Sequence, residues 1–276
     1  MTASPSPQAS SPSPASPSSA HGSVPLHSAR AHSFNAAAAQ YAANRPSYPP
    51  ALLDAVEELA GRPLAGARVA DIGAGTGIAT ALLHERGAEV LAVEPGEGMA
   101  AQFRRAHPRI PIVRGNGDAL PLADASADLL TYAQAWHWTD TTRSVPEALR
   151  VLRPGGALAL WWNTDALDIE WIAEAGRRVG RFFGIDVPAE KQRAARTDLA
   201  DPSGRLHFIR REVRWSRRVP LDTHLANIAS HSVFLVCPEE RKTAFLAAER
   251  DHLLNVFPDG VVEETYDVLL LVATKP

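Results

Sequence analysis

The stretch VADIGAGTG carries three glycines, Gly73, Gly75 and Gly77, after an apolar run that closes on Asp71. Glycine has no side chain to obstruct a ligand, so such a loop brings bare backbone against something small. It leads into a helix N-terminus at Thr76-Gly77, whose free N–H groups favour an anion, whether phosphate or carboxylate. A dinucleotide loop of the form G-x-G-x-x-G would place its last glycine where Ile78 stands. From the loop alone, the ligand is a dinucleotide, a phosphate or a different nucleoside, and a tight strand–helix turn has the same spacing.

Two further acids share the pattern. Glu94 ends the run EVLAVE, about 20 residues past the loop, the usual spacing for an acid that grips ribose hydroxyls. A carboxylate accepts from both hydroxyls at once, as a neutral side chain does not. In GNGDALPLAD, Asp118 follows the third apolar run and faces either an exocyclic amine or only the next turn, as a cap.

The elements that must position these residues are read from periodicity. ARVADI, EVLAVE, IPIVRG, ADLLTYAQ and GALALWW are short, nearly continuous apolar runs, and helical patterns separate the first from the second, the second from the third and the fourth from the fifth. That alternation predicts a parallel sheet buried on both faces by crossover helices. Upstream, FNAAAAQYAANRP reads as a short helix stopped at Asn44-Arg45-Pro46, and Pro50 opens a second helix that closes at Gly61. Downstream, DIEWIAEAGRRVGRFFG has the spacing of an amphipathic helix, residues 185 to 204 read as loop, and two more helical patterns follow. Strands near 206–215 and 265–274 are expected to pair and complete the sheet. The expected organisation is a disordered Ser/Pro/Ala-rich tail over 1–32 and one domain over 33–276. Within it, 34–163 form the cofactor-binding core and 164–260 a substrate-side insertion.

Composition limits the function classes. The chain has 276 residues, 45% hydrophobic and 21% charged, with a formal net charge of -3. No global basic footprint points to nucleic acid. A local excess of basic over acidic residues between Trp171 and Arg218 reads as a solvated charged face, with an acidic substrate or partner as the alternative. Cys237 is alone and has no metal-type partners in sequence, so neither an internal disulfide nor a structural metal is expected. No apolar run is long enough to span a bilayer. The expected setting is cytoplasmic, without membrane or nucleic-acid partners.

VADIGAGTG, AVEPGEGM, GNGDALPLADASADLL and LRPGG, in this order, resemble the motif series of class I S-adenosylmethionine-dependent methyltransferases, and most closely the group with the methyltransferase type 11 domain. The resemblance covers roughly residues 34 to 163. It implies a Rossmann-like α/β fold with a seven-stranded sheet, the last strand antiparallel, and helices on both faces. It implies that Asp71, Gly73, Gly75 and Gly77 surround the methionine part of S-adenosylmethionine, that Glu94 holds the ribose, that Asp118 and Ala119 approach the adenine, and that Pro95 and Met99 sit beside the base. An amino-acid carboxylate then stands where a dinucleotide would put its pyrophosphate, which suits Ile78 in place of the third glycine.

FNAAAAQYAANRPSYPP and AQAWHWTD resemble stretches of a bacterial branch of the same family. The first places Tyr41 and Arg45 toward the cofactor, with Arg45 a partner for the cofactor carboxylate or a substrate anion; the alternatives are an Arg45 that faces solvent before the proline turn and a Tyr41 that staples the helix to the sheet. The second places Gln134, Trp136, His137 and Trp138 after the fourth strand. Gln134 is a candidate hydrogen-bond donor there. The two tryptophans either wall the substrate cavity, with π-faces worth about 0.5–2 kcal/mol near a sulfonium, or anchor the core. His137 is the candidate base for a hydroxyl or carbon acid, or a structural histidine. Asn163 and Ser230 complete the substrate-side candidates. The expected activity is methyl transfer to a small-molecule acceptor by in-line displacement. A nicotinamide-dependent oxidoreductase and a non-catalytic S-adenosylmethionine-binding protein are the alternatives.

Overall fold

A computed structural model describes residues 38–184 and 200–276. The expected tail over 1–32 and most of the expected loop over 185–204 lie outside the described residues. The first helix, α1 (Ala38–Asn44), ends just before Arg45-Pro46, and α2 (Pro50–Ala60) starts on proline and stops at Gly61, left-handed at φ 63°. Then follow β1 (Arg68–Ile72), α3 (Ile78–Glu85), β2 (Glu89–Glu94), α4 (Glu97–Ala106), β3 (Ile112–Arg114) and β4 (Ala127–Ala133). A 3-10 turn (Trp136–Trp138), α5 (Thr141–Val151) and β5 (Leu152–Asp165) complete the core. Beyond it come α6 (Glu170–Phe183), β6 (Ile209–Pro220), α7 (Leu221–Ala229), α8 (Ser232–Leu235), α9 (Glu239–Val256) and β7 (Val261–Thr274).

The seven strands form one sheet in the order β3-β2-β1-β4-β5-β7-β6, parallel except for β7, which runs antiparallel to both neighbours. This is the sheet that the sequence predicts. The chain moves outward from β1 to β3, then returns to the other side of β1 with β4. The switch point therefore falls between β1 and β4, and ligands of open α/β sheets bind beyond the carboxyl ends of strands at such a point.

Both sheet faces are covered. On one, Leu52, Val56, Leu83 and Phe103 from α2, α3 and α4 pack over Val69, Ala92, Leu129 and Trp161. On the other, Val145, Ala148 and Val151 of α5, with Ala200 and Leu206, cover Ile72, Leu130, Leu158, Leu160 and Trp162. A smaller cluster, Leu221, Leu225, Leu253 and Val262, holds the added helices α7 and α9 to the start of β7.

Boundaries differ from the expected ones where tertiary pairing decides. The strand expected near 206–215 spans Ile209–Pro220, and that near 265–274 spans Val261–Thr274, because the two pair continuously from Ile209↔Val272 to Pro220↔Val261. β5 starts at Leu152 rather than Gly156. It pairs Leu152 with Ala127, and then Ala157 with Leu129, so the Pro154-Gly155-Gly156 segment is an excursion within the strand edge. The arginine-rich segment contributes β6, an edge strand, where charge discourages pairing with another chain. Its arginines are engaged: Arg211 with Glu58, Arg214 with Asp168 and Asp267, Arg217 with Glu264.

Phe103 is fully buried beneath the glycine loop. Phe103→Ala is expected to lower the unfolding free energy by about 3–5 kcal/mol, read from urea denaturation of the two proteins.

Candidate functional site

The glycine loop leaves β1 at Ile72 and enters α3 at Ile78. All three glycines are left-handed, at φ 68°, 59° and 95° for Gly73, Gly75 and Gly77. Their surroundings differ. A Cβ on Gly73 would lie 2.6 Å from the Ala135 side chain, and one on Gly77 would lie 2.5 Å from His107 and 2.9 Å from Phe103. A Cβ on Gly75 would meet only the Gly73 carbonyl, at 4.0 Å. Packing thus requires Gly73 and Gly77, while Gly75 borders open space. Of the three expected to surround a ligand, Gly75 is the one whose backbone is not covered by a neighbouring side chain.

Glu94, at the end of β2, reaches the same loop. One carboxylate oxygen accepts from the Gly75 N–H at 2.8 Å and the other from the Gly96 N–H at 2.6 Å. The side chain is buried, and burial raises its pKa, against the lowering effect of those two N–H groups. Each oxygen retains accepting capacity beyond the bond shown.

Asp71 is placed differently from its expected role around the ligand. It is fully buried, and its oxygens accept from Thr80 Oγ1 at 2.5 Å and Thr131 Oγ1 at 2.8 Å. It ties β1 to α3 and β4, and so holds the loop rather than facing the crevice. Burial lifts its pKa to about 6, which the two hydroxyls only partly oppose.

The other sequence candidates divide into rim and support. Asp118 is half-exposed. One of its oxygens accepts from the Asp140 N–H at 2.9 Å, while Asn116 Oδ1 accepts from the N–H groups of Asp118 and Ala119. Met99 is buried on α4, and exposed Pro95 precedes that helix. Gln134 follows β4 at φ 58°, a costly conformation for a residue with a Cβ, at the carboxyl edge where such strain clusters. Tyr41 falls in α1. Arg45, just after α1, donates from Nη2 to the Ser230 carbonyl at 3.0 Å.

Four candidates require correction. Trp136 is buried, donates its indole N–H to the Ala200 carbonyl at 3.0 Å and packs edge-on against Tyr132, so it anchors the core; half-exposed Trp138 is the outer of the pair. His137 is exposed, and its Nδ1 accepts from the Trp162 indole at 3.1 Å. An indole only donates, so neutral His137 carries its proton on Nε2 and has no nitrogen left to act as a base. Ser230 is fully buried, and its hydroxyl donates to the Asn227 carbonyl at 2.6 Å, which closes the end of α7 instead of facing substrate. The Asn163 amide is likewise engaged, donating to the Ser47 carbonyl and accepting from the Trp215 indole.

Thr76, which the sequence places only at the helix N-terminus, is a further candidate through its side chain. Its hydroxyl is buried in the glycine loop without a partner among the described residues. A polar hydroxyl between Gly75 and Gly77, next to a helix N-terminus, was the available signal. The buried threonines that hold Asp71 carried no local signal. Among the described residues, no group of His, Cys, Asp and Glu could hold a metal ion, and no helix is long and apolar enough to cross a membrane.

A left-handed glycine loop joined to an acid at the end of the next strand, at the switch point of a parallel sheet, is an arrangement that nucleoside-binding α/β proteins share. Comparison with known proteins narrows this. Residues 70–160 match the family model described as a methyltransferase domain. An uncharacterised methyltransferase of Mycobacterium tuberculosis is 37% identical over 80% of this chain and 85% of its own. An uncharacterised methyltransferase-like protein of Schizosaccharomyces pombe is 33% identical over 82% and 87%. A candidate type II methyltransferase from Anaeromyxobacter dehalogenans has the same fold with a TM-score of 0.66, at 28% identity, over 83% of this chain and 97% of its own. The chain belongs to the class I S-adenosylmethionine-dependent methyltransferases, in the group with this domain, and is an enzyme of that class.

The Asp71 pKa predicts a pH dependence. Its folded value of about 6 exceeds the ordinary 3.8, so between these values the folded state binds more protons than the unfolded state. Stability contributed at this residue therefore falls as pH rises from about 4 to 6 and is flat above. Asp71→Asn is expected to remove that decline, seen as the difference between wild-type and variant urea midpoints at pH 4, 5, 6 and 7.

Proposed function

We propose that this enzyme transfers a methyl group from S-adenosylmethionine to a small-molecule acceptor by in-line displacement. The observation that carries the reading is the contact between the Glu94 carboxylate and the N–H of Gly75, the loop glycine that borders open space. It puts an acceptor for ribose hydroxyls and a bare-backbone approach at one rim.

The residues present fit this cofactor. Gly75 leaves room for a chain to pass close to the backbone, and the Thr76 hydroxyl, without a partner among the described residues, suits the amino-acid end. Glu94 would hold the ribose, and Asp118 and Ala119 the adenine, with Met99 and Pro95 beside it. Gln134 and Arg45 belong to the same reading at the far ends of β4 and α1. When bound, the cofactor supplies a methyl group on a sulfonium, which is already activated for displacement. The protein's task is then to align the acceptor and exclude water, and positioning of this kind contributes about 7–11 kcal/mol in favourable cases. Ile78 in place of a third glycine argues against the nicotinamide alternative, whose pyrophosphate calls for that residue. Acceptors are small molecules in this reading, and the setting is cytoplasmic.

Titration calorimetry with S-adenosylhomocysteine tests it. Wild type is expected to bind, Glu94→Ala to give no measurable heat, and NADH to give none with either protein. Unchanged affinity of the Glu94 variant would refute the ribose assignment. Gly75→Ala should weaken binding of the same ligand far more than it lowers the melting temperature. Gly77→Ala should do the reverse, because its methyl group meets His107 and Phe103 rather than the crevice.

A further inference from the structure

Beyond the nucleoside rim, the added elements enclose a second polar centre. It is organised by Glu264 on β7, which is 2% exposed. One of its oxygens accepts from His224 Nδ1 at 2.7 Å and lies 3.4 Å from Asn227 Nδ2. The other accepts from Arg217 Nε at 2.6 Å and Tyr266 OH at 2.8 Å. Burial alone would raise this acid, but His224 and Arg217 outweigh it and bring its pKa to about 2, so it is a carboxylate at neutral pH.

That carboxylate dictates what its neighbours present. Because it only accepts, neutral His224 carries its proton on Nδ1 and offers Nε2 as a lone pair. Asn227 turns its amide nitrogen to Glu264 and Tyr266, at 3.1 Å from the Tyr266 oxygen, and so offers Oδ1. Both Nε2 and Oδ1 are buried, and neither has a partner among the described residues. His224 and Asn227 are three residues apart on α7 and share a face. Two buried acceptors without donors are costly unless a donor arrives.

The centre stands over the carboxyl edge. Tyr266 pairs with Asp165 at the end of β5, four residues beyond Trp161, which pairs with Ala133 at the end of β4. α1 packs against both α4, which follows Glu94, and α7, which carries His224. Arg217 donates to the Asn44 carbonyl at 3.0 Å and Arg45 to the Ser230 carbonyl, fastening α1 to this centre.

We propose that His224 and Asn227 receive the hydroxyl of the methyl acceptor, a phenol or enol, with His224 Nε2 taking its proton and Glu264 positioning the imidazole. This rests on the methyl-transfer reading above. As the acceptor oxygen forms its bond to the methyl carbon, the carbon–sulfur bond breaks, S-adenosylhomocysteine leaves neutral, and the hydroxyl proton passes to Nε2 and then to solvent. A carboxylate acceptor has no proton to donate and would face two lone pairs.

The test supplies methyl-labelled S-adenosylmethionine with a panel of phenols, β-dicarbonyl enols and carboxylic acids. Wild type, His224→Gln and Glu264→Gln are compared, and S-adenosylhomocysteine calorimetry on each protein reports an intact cofactor site. Label is expected on hydroxyl acceptors. His224→Gln should lower kcat about 10²–10⁴-fold with KM little changed, with a loss that shrinks as the phenol, still protonated at the assay pH, becomes more acidic. Glu264→Gln should show the same graded pattern more weakly. A merely structural role would affect all phenols equally. Label on carboxylic acids alone, no labelled hydroxyl from a protein that binds S-adenosylhomocysteine, or an equal loss across phenols would overturn the proposal. Absence of S-adenosylhomocysteine binding by wild type would instead overturn the methyl-transfer reading.

Discussion

The site depends on one short-range interaction, the acceptance of the Gly75 and Gly96 N–H groups by the buried carboxylate of Glu94. It fastens the loop after β1 to the turn after β2. Two neighbouring parallel strands thereby present their carboxyl ends as one rim rather than two independent loops. The acid is buried, so the bonds form in a setting of low dielectric where they are strong and where leaving them unmade would be costly.

Around that rim, support and contact are divided between residues that look alike in sequence. Asp71 stands one residue before the end of β1 and Glu94 at the end of β2, yet Asp71 is sealed by two threonine hydroxyls while Glu94 faces the loop. Gly73 and Gly77 yield space to Ala135, His107 and Phe103, and Gly75 borders open space. The division follows from depth and from helix packing: Asp71 pairs in register with Ala92, two residues before Glu94, so the two acids share a sheet face but Asp71 lies deeper, between Thr80 and Thr131, and α4 presses on one end of the loop only.

The second polar centre follows the same logic with a different scaffold. Glu264 is saturated by donors from β6, β7 and α7, and its charge sets the tautomer of His224 and the orientation of Asn227. The core carries the glycine-loop rim, and the added helices and antiparallel strands carry the polar groups beyond it. Arg45 and Arg217 join the two through backbone carbonyls, fixing α1 between them.

The glycine loop, Glu94 and the five parallel strands were legible in the sequence, because each is a contiguous stretch whose period and punctuation report local backbone preference. The spacing from loop to acid also survives folding unchanged, since β1 and β2 are neighbours in register, Arg68↔Glu89 through Ile72↔Val93. What only the tertiary structure decided are the partners of side chains distant in sequence. Trp162 denies His137 a free basic nitrogen, Ala200 draws Trp136 into the core, and Glu264 selects His224 from 40 positions away. Those pairings arise from the registers of β5, β7 and β6 and from helix packing across the sheet, and no local pattern of residues encodes which donor a buried acceptor will meet.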